Sequence, residues 1–158
     1  MNITVRHILV PVDFTPLSER LIDFARTIGT GLQAQMHLVH VLEEPFTTAG
    51  PYQLHLPDTP ARREWRYTQA RKRLARMADE LRVKDITASV EVRSGAAAEE
   101  IAKAATDYGA DLIVMGTHGR RGLQHLLNGS VTDQVIRRGR WPVLTIHEHG
   151  GARAATAA

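Results

Sequence analysis

Leu112-Ile113-Val114-Met115-Gly116-Thr117-His118-Gly119 decides the fold. The unbroken apolar run 112–115 predicts a strand buried on both faces, as in a parallel sheet. Gly116 is expected to end the strand and to open a glycine-bearing loop that runs to Gly129. Ser130 then starts a helix, with Val131 and Val135 turned inward. Strand, loop and helix in succession make one βα unit.

The same alternation continues on either side. Residues 8–12, Ile-Leu-Val-Pro-Val, form a second buried run, with Pro11 tolerable at a strand's end. Thr15 and Pro16 read as the N-cap and first position of a helix. Leu17, Leu21, Phe24, Ala25 and Ile28 follow at helical spacing, and Gly29 and Gly31 are expected to close it. Residues 37–42 predict the next strand, and 43–60, rich in proline and threonine, a long loop.

Residues 62–82 predict a helix with Leu74, Met77, Ala78 and Leu81 as its apolar stripe. Arg62, Arg63, Arg66, Arg71, Lys72, Arg73 and Arg76 make it strongly basic. Residues 87–92 carry Ala88, Val90 and Val92 on one side of a strand. Residues 96–108 form a helix with Ile101, Ala104, Ala105 and Tyr108 inward, stopped by Gly109, and 142–146 are the last strand.

The order is βαβαβαβαβ. It implies an α/β fold: a doubly wound, Rossmann-like, five-stranded parallel sheet with helices on both faces. Residues 1–149 are expected to form one domain, and 150–158, a run of small residues, a disordered tail.

Composition narrows the function. The chain has 158 residues, 43% hydrophobic and 23% charged, enough for a real core. A net charge of +3 permits phosphate binding without demanding nucleic acid. The absence of cysteine excludes disulfides, thiol nucleophiles and Cys-based zinc sites. No apolar stretch approaches the roughly 20 residues of a membrane helix, and the first residues lack a signal-peptide pattern. The expectation is a soluble, cytoplasmic protein.

In a doubly wound sheet, ligands bind outside the carboxyl ends of the strands. The first βα turn, Asp13-Phe14-Thr15-Pro16, has no glycine and cannot be a dinucleotide fingerprint, and the chain has no P-loop. The fourth turn carries Gly116, Gly119 and Gly129, then Ser130. Glycines let backbone N–H groups approach an anion, and the helix start adds free N–H groups and a positive dipole end. The Ser130 hydroxyl is a further donor, and Arg120 and Arg121 are cations of the same loop.

This spacing, G-x-x-G-x9-G-S, resembles the nucleotide-binding signature of the universal stress protein family. The resemblance spans nearly the whole chain. It takes in Ile8-Leu9-Val10-Pro11-Val12-Asp13, His40-Val41-Leu42-Glu43, Gly129-Ser130-Val131-Thr132 and Trp141-Pro142-Val143-Leu144. It implies ATP binding, with or without Mg2+. By the resemblance, Asp13, preceded by Pro11 and Val12, receives the ribose hydroxyls. Val41 meets the adenine edge through its main chain. Met115 and Gly116 stand beside ribose and phosphates. Gly119, Gly129, Ser130 and Val131 cradle the phosphates, with Arg120 beside them. It also implies a homodimer joined through strand 142–146. Trp141 departs from the family's usual small residue or cysteine, next to that contact.

Plainer readings stand beside these. Ser130 also suits an N-cap, with Asp133 near the third helical position, and Asp13 suits a turn. Arg120, Arg121 and His118 read as a solvated loop face. His147 and His149 read as an exposed pair without zinc-site spacing. The basic helix reads as a solvated face, and with no aromatic interleaving noted, nucleic acid is not an expected partner. The implied function is an ATP-binding regulatory stress-response protein with an unidentified protein partner. The alternatives are a slow ATP hydrolase, for which no general base or magnesium carboxylate pair stands out, and an interaction module that binds no nucleotide.

Overall fold

A computed structural model describes residues 4–43, 59–117 and 131–147. The expected tail 150–158, Gly119, Arg120, Arg121, Gly129, Ser130, His118 and His149 lie outside the described residues, as does most of the 43–60 loop.

Among the described residues five strands are observed: β1 (His7–Pro11), β2 (Gln35–Leu42), β3 (Ala88–Ser94), β4 (Leu112–Thr117) and β5 (Val143–His147). Four helices alternate with them: α1 (Pro16–Leu32), α2 (Pro60–Val83), α3 (Ala97–Tyr108) and α4 (Val131–Arg138). All the pairings are parallel, in the order β3-β2-β1-β4-β5. The chain reverses its direction of travel across the sheet between β1 and β4, which makes a crevice at their carboxyl ends.

The sheet separates two cores. Ile8, Val10, Leu38 and Val114 face Leu17, Leu21 and Ala25 of α1 and Leu74, Ala78 and Leu81 of α2. Leu9, Val39, Ile113 and Met115 face Ile101, Ala104 and Ala105 of α3 and Val135 of α4. Side chains alternate across a strand, so a central strand covered twice must be apolar at consecutive positions. Ile8, Leu9 and Val10 are accordingly all 0% exposed.

Four expectations are corrected. Gly29 and Gly31 lie inside α1, which ends where Gln33 adopts the left-handed conformation at φ 54°. At Gly29 a Cβ would meet Ile8 at 3.7 Å and Ile86 at 3.6 Å, ordinary contact distances. Gly116 lies within β4, paired with Ile146 of β5, rather than ending the strand. Val131 is 37% exposed, because α4 turns Thr132 and Val135 to the sheet instead. Thr15 occupies the N-cap of α1 but its side chain makes no capping bond. Helix α3 ends as expected at Gly109, which is left-handed at φ 68°.

Candidate functional site at the β1–β4 switch point

The crevice starts with Asp13, the second residue beyond β1. The side chain of Asp13 is exposed yet firmly placed. Its Oδ1 accepts three hydrogen bonds: from the Thr15 backbone N–H at 3.0 Å, the Thr15 hydroxyl at 2.6 Å and the Ser18 hydroxyl at 2.7 Å. Ser18 Oγ in turn accepts from the Asp13 N–H at 3.1 Å. This explains a serine that is 1% exposed on the core side of α1: its partner is the turn. The Asp-x-Thr-x-x-Ser spacing was a signal for this cluster that sequence reasoning passed over.

Phe14 completes the turn in the left-handed region, at φ 61°. Bulky residues adopt it only when their surroundings impose it. Here the His40 ring lies 4.3 Å from the Phe14 ring on centroids, and the Arg73 guanidinium of α2 sits 4.1 Å over it. His40 Nδ1 donates to the Val12 carbonyl at 2.6 Å. Burial, chiefly, holds His40 below its ordinary pKa; the bond to Val12 and the charge of Asp13 oppose this, and Arg73 and Arg66 reinforce it. The imidazole is thus a neutral strut under the turn.

β2 supplies Val41. Val12 N–H donates to the Val39 carbonyl at 2.8 Å, the last ladder bond from the β1 side. Main-chain groups two residues apart on a strand point the same way. The main chain of Val41 therefore faces the β1 side, beyond the point where β1 turns off.

β4 supplies Met115, Gly116 and Thr117. A Cβ on Gly116 would stand 2.6 Å from Leu17 Cδ2 and 3.2 Å from Leu21 Cδ1. The glycine is required by the close approach of α1 to β4, a packing reason independent of any ligand. Its carbonyl accepts from the Thr132 hydroxyl at 2.9 Å. That bond pins the first turn of α4, and with it the N–H of Val131, to the end of β4. The first N–H groups of a helix have no intrahelical partner, so this end suits an anion. Thr117 Oγ1 hydrogen-bonds His147 Nδ1 of β5.

The structure thus brings Pro11, Val12, Asp13, Val41, Met115, Gly116 and Val131 to one end of the sheet. The side chains of Val12 and Met115 are buried in opposite cores, so only their main chains can serve a ligand at the crevice. Ser18, Phe14, His40, Arg73 and Thr132 are the supporting residues that the sequence did not reveal.

The model of the universal stress protein family matches residues 4–147. The chain belongs to the universal stress protein family. It is 31% identical over 151 residues to universal stress protein MJ0531 of Methanocaldococcus jannaschii, covering 89% of this chain and 81% of that one. It is 30% identical over 146 residues to universal stress protein A homolog 2 of Coxiella burnetii, covering 92% and 97%. Among solved structures, that of MJ0577 superposes with a TM-score of 0.71 at 26% identity, covering 94% of this chain and 99% of that one. UspA from Lactobacillus plantarum shares the fold, with a TM-score of 0.71 at 22% identity over 92% and 99%. Among the described residues, no helix is long and apolar enough to cross a membrane.

Proposed function

We propose that this universal stress protein binds ATP at the β1–β4 crevice and acts as a nucleotide-dependent regulator. The observation that carries the reading is the convergence of three main-chain and side-chain features on one rim. These are the preset carboxylate of Asp13, the main chain of Val41, and the α4 start anchored by Thr132 on Gly116. Asp13 is the acceptor for ribose hydroxyls, Val41 the main-chain partner for adenine, and the α4 end with the Gly119–Ser130 segment the seat for phosphates. Mg2+ would sit on the phosphates. Universal stress proteins of this fold have been solved in complex with cAMP and with dAMP.

β5 is one of the two edge strands of the sheet, and Val143, Leu144, Thr145 and Ile146 are only half-buried in the single chain. A second copy pairing through this edge would cover it, which supports a homodimer.

A thermal-shift titration tests the reading. At about 100 times the dissociation constant, ATP raises stability by about 2.7 kcal/mol. Gly129→Val, which crowds the phosphate segment, is expected to abolish the shift with the unliganded melting temperature unchanged. A shift with steady phosphate release would mark an ATP hydrolase instead. No shift at millimolar ATP, ADP or AMP would refute the proposal.

A further inference from the structure

The outward side of α2 takes no part in the nucleotide crevice, which meets the helix through Arg73 over the Phe14 ring. The helix carries eight cations and three carboxylates, a net +5, whereas the rest of the chain has 12 cations and 14 carboxylates, a net −2. The charge is also sorted along its length. Residues 62–76 hold seven of the cations and only Glu64; Asp79 and Glu80 follow, and Asp79 pairs with Arg82 at 2.6 Å.

The helix buries Ala70, Leu74, Ala78 and Leu81. At about 100° per residue, Trp65, Lys72 and Arg76 fall on the opposite side, flanked by Arg62. They form one outward row: Trp65 to Lys72 spans about 10 Å and Lys72 to Arg76 about 6 Å along the axis. Trp65 is 65% exposed, and Arg62, Lys72 and Arg76 are exposed too. Among the described residues, no carboxylate pairs with Arg62, Lys72 or Arg76. A bare indole aligned with unneutralised cations is what an anionic ligand with flat apolar faces requires.

We propose that this row binds single-stranded nucleic acid. A base stacks on the Trp65 indole, and successive phosphates run along Lys72 and Arg76, with Arg62 on the other side. Trp65 supplies the interleaved aromatic whose apparent absence argued against nucleic acid in the sequence. The indole selects a single strand because the bases of a duplex are already stacked on one another. A membrane surface is disfavoured because the apolar side of α2 is sealed against the sheet, whereas interfacial helices insert theirs.

The test is fluorescence anisotropy of a labelled oligothymidylate of about twenty nucleotides with the full chain, at salt from about 50 to about 200 mM. The expected result is binding that Trp65→Ala weakens about tenfold and Trp65→Tyr largely preserves. The double variant Lys72→Gln with Arg76→Gln should flatten the slope of log affinity against log salt by about 1.4. These positions are exposed, and circular dichroism checks that each variant stays folded. Any of four results overturns the proposal: no binding at low salt; equal binding of a duplex; affinity unmoved by Trp65→Ala; or capture by phosphatidylserine vesicles with none by the oligonucleotide.

Discussion

Replacing Gly116 by Ala puts the packing account of this glycine to a quantitative test. The new methyl would lie 2.6 Å from Leu17 Cδ2, 3.2 Å from Leu17 Cγ and 3.2 Å from Leu21 Cδ1. Non-bonded carbons settle at about 3.5–4.0 Å, so α1 must shift or Leu17 must change rotamer. Leu17 and Leu21 are each 3% exposed, which leaves them little room. Overpacking of this kind costs about 1–3 kcal/mol. For a chain of this size that lowers the melting temperature by about 3–10 °C. Leu17→Ala alone should cost about 2–5 kcal/mol by leaving a cavity. The double variant should be less destabilised than the sum of the two by at least about 1 kcal/mol, since the methyl fills space that Leu17 vacates. Urea unfolding of the four proteins measures this. Strict additivity would refute the packing account, and a Gly116→Ala protein of parental stability that has lost ATP binding would show that the glycine serves the ligand and not the helix.

Asp13→Ala removes an acceptor shared by three donors and is expected to cost about 1–3 kcal/mol, read from urea midpoints; a neutral substitution would contradict the turn geometry. It should also weaken ATP and adenosine together, by calorimetry, because ribose is common to both. Thr132→Val should cost about 1 kcal/mol by releasing the Gly116 carbonyl, and should lower ATP affinity more than adenosine affinity. His37 and His40 are both held below their ordinary value of 6.5, burial being the first cause for each. The unfolded chain then binds protons that the folded chain refuses. Their contribution is intact above about pH 6.5 and is lost as pH falls from there toward the folded-state values. The urea midpoint of the parent should therefore drop between about pH 7 and pH 5, and the drop should shrink in a His37→Gln, His40→Gln double variant; equal slopes would contradict it.

The sheet was legible because central parallel strands must be apolar at consecutive positions, and 8–10 and 112–115 are. The helices were legible from their spacing, and Gly109 behaved as a stop because it takes the left-handed φ of 68° that ends α3. Glycine misled elsewhere. Gly116 marks a close approach between elements distant in sequence, which local pattern does not carry, and Gly29 sits inside α1 rather than at its end. The real end of α1 is at Gln33, a residue without a stop signal. At the site, Asp13 and the β4 end followed from strand ends alone. The contacts that fix them did not: Arg73 meets Phe14 across 59 residues, and Thr132 meets Gly116 across 16.

The three bonds on one oxygen of Asp13 bear on how this position tolerates change. The carboxylate's rotamer is chosen by its own turn before any nucleotide arrives, so little side-chain freedom remains to be lost on binding. Asparagine could keep those bonds with its carbonyl oxygen, yet would surrender the charge. Glutamate would keep the charge, yet would carry it one methylene too far for Thr15 and Ser18 to grip. If Asp13 receives ribose as proposed, local architecture and ligand chemistry press on the same carboxylate.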